Sequence, residues 1–329
     1  MTRPVTLSLC LSLVAATTLV DAQQRPSFRG ATNLVSLYVT VTDGEGRLVP
    51  DLTADDFVIT DEGTEQPLAF FSATLEPFTV VVMLDRSGTM APHYGLVHDA
   101  AVEFVRQMWP EDRARIGSFG HEIRLTPRDF TSDKNALFNM LRFDLQDGGP
   151  SPAWSAIDRS MNALADQPGR RVVLVLTDGK DEPRYDQPFT HLGDLLDRTK
   201  REDIMIYAVG FAAVSTTDTR SGPFGLPTGR GLPPSGRPRF GMGTRAQPPD
   251  PALKDMAENS GGGYFEPEED TDLERTFARV AQELHRQYWL GFVPPELDGK
   301  VHDVKVEVRQ RGLKVRTRKS YLAGSDGGR

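Results

Sequence analysis

The sequence predicts an α/β fold: a doubly wound, mostly parallel sheet, with a second, smaller β domain formed from N- and C-terminal segments. Three observations predict it. In the middle of the chain the apolar runs "FTVVVMLD", "RRVVLVLTDG" and "IMIYAVGF" alternate with amphipathic stretches of helical period, and strands alternating with helices give a parallel sheet covered on both faces. Both ends of the chain show period-two alternation instead, the mark of half-buried strands. At 329 residues the chain has room for one large domain or two smaller ones.

The first element is a leader, "MTRPVTLSLCLSLVAATTLVDAQQ". Arg3 gives a positive start, residues 5–20 are apolar, and Val20-Asp21-Ala22 resembles a cleavage site with small residues, so residues 1–22 read as a signal peptide. The chain is expected to be exported, periplasmic or secreted. The apolar stretch is shorter than the roughly 20 residues a bilayer requires and is diluted by Thr6, Ser8 and Ser12, so no integral membrane segment is expected after cleavage. Cys10, the single cysteine, lies within this leader with Leu9 before it, where lipidation would want a small residue. The mature chain therefore depends on burial and metal rather than disulfides. Hydrophobic content of 38% and charged content of 26% suit a soluble globular protein, and a net charge of −8 argues against nucleic acid as the partner.

Residues 28–75 read as the first part of the β domain. "LVSLYVTVTD" sets Val35, Leu37, Val39 and Val41 on one face, "DGEG" turns the chain, and "DFVITDEGTEQPLAFFSATL" forms two further strands around Glu62-Gly63. About 50 residues of strand are marginal alone. Residues 287–323 supply the complement: in "YWLGFVP", "VHDVKVEVRQ" and "LKVRTRKSYL", Val304, Val306 and Val308 share one face, and Leu313 and Val315 another. The last two are expected to form a hairpin exposing Lys305, Arg309, Lys314, Arg316 and Arg318 as a solvated face. The alternative is two separate small β elements.

Residues 76–286 form the α/β part. "FTVVVMLD" precedes a helix, "LVHDAAVEFVRQM", with Leu96, Ala100, Phe104 and Met108 on one face. "RARIGSFG" and "EIRLT" are a short pair of strands. "RRVVLVLTDG" leads to a helix near "HLGDLLDRTK", and "IMIYAVGF" to one at "PALKDMAENS". Thr271 and Glu274 make a capping box for "TDLERTFARVAQELHRQY", with Leu273, Phe277, Val280 and Leu284 inward. Glu266, Glu268, Glu269 and Asp270 are a solvated loop before that helix. Residues 214–250, dense in Gly, Pro and Arg, have no periodicity and read as a flexible loop. It follows "IMIYAVGF", so its Arg220, Arg230, Arg237, Arg239 and Arg245 are expected to overhang the same side as Asp85.

In an α/β sheet, ligands belong at the carboxyl ends of the strands, and three such loops carry oxygen donors. Asp85, Ser87 and Thr89 follow the first central strand, "DGGPSPAW" carries Ser151, and "LTDGKDE" carries Asp178. Two carboxylates and three hydroxyls are hard donors, suited to Mg²⁺, Mn²⁺ or Ca²⁺ and unsuited to zinc. Since Mg²⁺ takes six oxygens, five protein donors leave a position for water or a partner's oxygen.

"DRSGTM", then "GGPS", then "LTDG" resembles the metal-ion-dependent adhesion site (MIDAS) of von Willebrand factor type A domains, where an Asp-x-Ser-x-Ser motif, a Thr and an Asp come from three loops. The likeness covers roughly residues 76–286. The flanks "DLTADDFVITDEG" and "YWLGFVPPELDGKVHDVKVEVRQRGLKVRTRKSYL" resemble those of a bacterial family of secreted von Willebrand factor A-related proteins. The resemblance implies metal ligation by Asp85, Ser87, Thr89, Ser151 and Asp178, a Mg²⁺ (or Mn²⁺/Ca²⁺) cofactor, and a protein partner that gives the metal an acidic oxygen. Thr89 stands where Ser is usual and Ser151 where Thr is usual, and Pro150 is inserted before Ser151.

Other readings fit less well. On a structural envelope scaffold with a degenerate site, the same residues would be turn formers and helix caps. "VVVMLDRSGTM" also resembles the first motif of haloacid-dehalogenase-type phosphatases, but Ser87 occupies the position of the general acid, and a hydroxyl is a poor substitute for a carboxyl. No G-x-S-x-G elbow is present. "GMGTRA" is half a dinucleotide fingerprint without a strand directly before it. The six histidines lack metal-ligand spacing and read as surface or helix decoration. The expectation is a binding module, not an enzyme.

Overall fold

A computed structural model describes residues 34–145, 147–183, 188–215, 245–267 and 273–324. The leader, the interior of the 214–250 segment and Thr271 of the expected capping box lie outside them.

The chain enters through β1 (Val35–Thr42), β2 (Phe57–Asp61), β3 (Thr64–Gln66) and β4 (Phe70–Ser72). The turn expected at Glu62-Gly63 joins β2 to β3, with both residues at positive φ, a conformation that costs Gly63 little. The α/β part follows with β5 (Phe78–Asp85), a 3₁₀ turn (Gly88–His93), α1 (Tyr94–Gln107), β6 (Arg113–Phe119), β7 (Arg124–Thr131), α2 (Lys134–Phe143), α3 (Ala153–Leu164), β8 (Arg170–Thr177), α4 (Leu192–Arg201), β9 (Met205–Gly210), β10 (Ala213–Ser215), β11 (Arg245–Gln247), α5 (Ala252–Ser260), β12 (Tyr264–Phe265) and α6 (Leu273–His285). The chain closes with β13 (Tyr288–Phe292), β14 (Val301–Val308), β15 (Lys314–Arg316) and β16 (Ser320–Leu322).

The central sheet has the order β12-β9-β8-β5-β6-β7. Its pairs are parallel except β6–β7. β5 is buried along its whole length, which is why its sequence is a continuous apolar run rather than an alternation. Val80, Val82 and Leu84 pack with α1, α2 and α6, while Val81 and Met83 pack on the other face with α3, α4 and α5. Each such side chain contributes roughly 1.5–3 kcal/mol when fully buried. From β5 the chain moves to β6 on one side, then returns through α2 and α3 to β8 on the other. The winding therefore reverses between β5 and β8, and the crevice of a doubly wound sheet opens at the carboxyl ends of those two strands.

Residues from the two ends of the chain build two four-stranded antiparallel sheets, β15-β1-β13-β4 and β16-β14-β2-β3. They share a core of Leu37, Val39, Ile59, Leu290, Phe292 and Val306, among others. The terminal strands do not form the expected hairpin: β14 pairs with β2 and β16, whereas β15 crosses to pair with β1 in the other sheet. Two of the basic side chains accordingly point inward. Arg318 is buried and donates to the carbonyls of Lys200 and Arg201, capping the end of α4. Arg316 pairs with the buried carboxylate of Glu283. Two histidines are likewise buried rather than decorative. His285 bonds Asp112 at 2.7 Å and stacks on Trp109, and His302 lies between Asp61 and Asp298.

The 214–250 segment also departs from a plain loop at its ends, where β10 and β11 pair antiparallel, Ala213 with Gln247 and Ser215 with Arg245. This ribbon stands beside the 3₁₀ turn that follows Asp85.

Candidate functional site

β5 and β8 run in register to Leu84 and Leu176, so Asp85 and Asp178 emerge at the same sheet edge. Asp85 is fully buried. Its Oδ1 accepts the Ser87 amide at 2.8 Å, and its Oδ2 accepts the Thr177 hydroxyl at 2.6 Å and the Ser151 hydroxyl at 3.3 Å. The hydroxyls of Ser87 and Thr89 lie 3.2 Å apart. The structure thus brings Ser87 and Ser151, from separate loops, onto one carboxylate, with Thr89 at their side.

Asp178 follows Thr177 and is almost completely buried. Its Oδ1 accepts the Lys180 amide at 2.9 Å, while its Oδ2 has no hydrogen-bond partner among the described residues. Burial, with the nearby charge of Asp178, pushes the Asp85 carboxyl up to about 6 against the hydrogen bonds from Ser87 and Thr177. Among the described residues no basic side chain pairs with either carboxylate. Two buried carboxylates without a counter-charge are costly unless a proton or a cation joins them. No group of three or more His, Cys, Asp or Glu side chains gathers as a metal site among the described residues. The donors here are two carboxylates and a set of hydroxyls.

Glycine lets the loops approach. The Gly148 amide donates to the Arg86 carbonyl at 2.8 Å, and the Gly88 amide to that of Gly149 at 3.3 Å. A Cβ on Gly149, whose φ is +99°, would lie 2.6 Å from the His121 amide nitrogen, and one on Gly120 would lie 2.4 Å from the Gly148 carbonyl oxygen. Neither position admits a side chain without moving backbone.

Several residues that the sequence pattern does not single out complete the arrangement. Thr177 donates to Asp85 while accepting the Gly179 amide at 2.9 Å; a strand-end hydroxyl next to Asp178 is the signal that could have found it. Asp181 accepts the Trp154 amide at 3.2 Å, anchoring the start of α3. Arg86 bonds Asp147 and lies over the ring of Tyr94. Nothing in the pattern of "DRSGTM" signals that packing.

Residues 80–180 match the profile of the von Willebrand factor type A domain. No curated protein matches the chain. Solved structures similar to it include an aerotolerance-related membrane protein from Bacteroides fragilis, with 15% identity over 63% of this chain and 99% of that one and a TM-score of 0.43. The von Willebrand factor domain of the type V pili tip protein Mfa5 from Porphyromonas gingivalis shows 13% identity over 64% and 95%, with a TM-score of 0.44. A von Willebrand factor type A protein from Catenulispora acidiphila shows 11% identity over 89% and 74%, with a TM-score of 0.45. The profile match spans β5 to β8, the strands whose ends carry the candidate site, and the chain therefore contains a von Willebrand factor type A domain, a family in which many members are protein-interaction modules.

Proposed function

We propose that this chain is an exported, metal-dependent protein-binding module. The observation that carries the reading is the uncompensated charge of Asp85 and Asp178: both carboxylates are buried, one oxygen of Asp178 has no partner among the described residues, and hard hydroxyl donors surround them. This donor set fits Mg²⁺, Mn²⁺ or Ca²⁺. Asp85, Ser87, Thr89, Ser151 and Asp178 would hold the ion, directly or through water. When bound, it supplies an electrophilic position for an acidic oxygen of a protein partner. Three of the five donors are neutral, so two carboxylates balance one divalent ion and leave it attractive to a further anion. Ser87, where a phosphatase of similar motif needs an acid, supports binding over hydrolysis. Export rests on the leader sequence. The described helices include none long and apolar enough to cross a membrane.

Calorimetric titration of the chain with Mg²⁺ and Mn²⁺, run beside Asp85→Ala, tests the reading. Saturable one-site binding that the substitution abolishes is expected. Binding that survives Asp85→Ala, or none in the unsubstituted chain, overturns it.

A further inference from the structure

We propose that Tyr94, braced by Arg86 and Asp147, is the positioning residue that sets the spacing between the two hydroxyl-bearing loops of the candidate metal centre; the inference rests on the metal-binding reading. The Tyr94 hydroxyl lies 2.7 Å from the Ser87 carbonyl and 2.5 Å from that of Arg86, and it accepts the Gly148 amide at 3.1 Å. Its single hydrogen faces two carbonyls of the first loop, and its lone pair holds an amide of the second. One oxygen atom therefore joins the segment that carries Ser87 and Thr89 to the segment that carries Ser151.

The ring is itself held. The Arg86 guanidinium lies 3.8 Å from the ring centroid, donates through Nε to Asp147 at 2.9 Å and through Nη2 to the same carboxylate oxygen, and donates through Nη1 to the Tyr94 carbonyl at 3.3 Å. The Arg86 side chain is only 9% exposed, against 63% for Asp147, so the cation is largely desolvated against the aromatic face, where such contacts are strongest. Tyr94 opens α1, which packs into the core under the sheet, giving the brace a rigid base. Its hydroxyl is engaged by the backbone of both loops. Its effect on the metal acts through the separation of Ser87 and Ser151, as outer hydrogen-bond partners act at metal sites.

The test is calorimetric titration of the full chain with Mg²⁺ and Mn²⁺, for the unsubstituted protein, Tyr94→Phe and Asp147→Asn, with thermal midpoints recorded in EDTA. Tyr94→Phe keeps the ring beneath Arg86 and removes only the link. It is expected to weaken Mg²⁺ binding about tenfold, the scale of outer-partner substitutions, with little change of midpoint in EDTA. Asp147→Asn, which alters an exposed carboxylate, is expected to weaken binding in the same direction by less. A purely structural role would lower the midpoint and leave the affinity of the folded protein unchanged. Binding by Tyr94→Phe within about twofold of the unsubstituted chain, well short of the expected loss, overturns the inference and leaves the metal-binding reading standing. Should Tyr94→Phe fail to fold, unchanged affinity in Asp147→Asn overturns it instead. Absence of binding in the unsubstituted chain overturns both.

Discussion

Asp178 carries a conflict that few buried residues carry: one oxygen is satisfied by the Lys180 amide and the other by nothing among the described residues. Its charge also opposes ionisation of Asp85. A group arranged this way costs stability in the metal-free protein, and such costs are characteristic of sites selected for function. Asp178→Asn keeps an oxygen for the Lys180 amide and removes one of the two opposed charges. In chelator, the variant is expected to be more stable by about 1 kcal/mol, a rise of a few degrees in midpoint for a chain of this size. The stabilisation that Mg²⁺ gives the unsubstituted chain should disappear. A lower midpoint combined with a retained Mg²⁺ shift would show that the carboxylate is structural. Asp85, Ser87 and Thr89 were legible because they are consecutive alternate oxygen-bearing side chains directly after an apolar strand, where a parallel sheet presents its loops to ligands. Tyr94 and Arg86 were not, since their roles arise from bonds to Gly148 and Asp147, 54 and 61 positions away.

Strands and helices were legible wherever burial left a strong apolar pattern. β5, β8 and β9 are continuous apolar runs because both sheet faces are covered, and α1 and α6 show their stripes plainly. α2 and α3 have no counterpart in the sequence reading. The buried face of α3 carries Trp154, Ile157, Met161 and Leu164 at helical spacing beside Ala153, Ala156 and Ser160, a stripe that follows directly on the Gly- and Pro-bearing "DGGPSP" and is broken by polar Ser155, Asp158 and Arg159. Alternation in β14 revealed a strand but not its neighbours, since a period of two says which face is buried and nothing about pairing. The actual neighbour matters for His302, which meets Asp61 on β2 and Asp298 in the preceding loop, with the Tyr321 hydroxyl 3.3 Å away. Burial disfavours the imidazolium, but the carboxylates of Asp61 and Asp298 outweigh it and raise the group above its ordinary 6.5. Because the folded protein holds this proton more tightly than the unfolded chain, the contribution is complete below 6.5 and is lost as pH rises through the raised value. Thermal midpoints should accordingly decline above pH 6.5, and His302→Gln should flatten that decline. An identical slope in the variant would assign the dependence to other groups.

The sandwich and the α/β layers are joined by a buried polar cluster rather than by apolar packing alone. Glu283, near the end of α6, accepts from Thr40 of β1 at 3.1 Å, from Tyr207 of β9 at 2.5 Å and from Arg316 of β15. Gln287 donates to Thr40 and Tyr207 at 3.0 and 3.3 Å. Nearby, Arg170 at the start of β8 lies 4.7 Å from the ring centroid of Tyr38 on β1. These residues span nearly the whole sequence, and no local pattern could have associated them; the period-two strands at both ends showed that the ends belong together, but not what ties them to the centre. Arg316 is one-third exposed while Glu283 is buried, so the arginine brings a partly solvated charge to a carboxylate that has no access to water. Arg316→Met would strand that carboxylate and is expected to cost about 3 kcal/mol, the lower end for removing one partner of a buried pair because Arg316 retains some solvent. Adding Glu283→Gln removes the stranded charge while keeping an acceptor for Thr40 and Tyr207, and should recover at least about 1 kcal/mol of the loss, as residues of one network are not additive. Denaturant unfolding of the two single variants and the double variant measures this coupling. Simple additivity would mean that the pair does not act as a unit. A recovered double variant that still unfolds in one transition would show that the sandwich and the α/β layers remain one cooperative unit without the ion pair, held by apolar contacts such as those of Phe277 and Val280 of α6 in the core they share with α1.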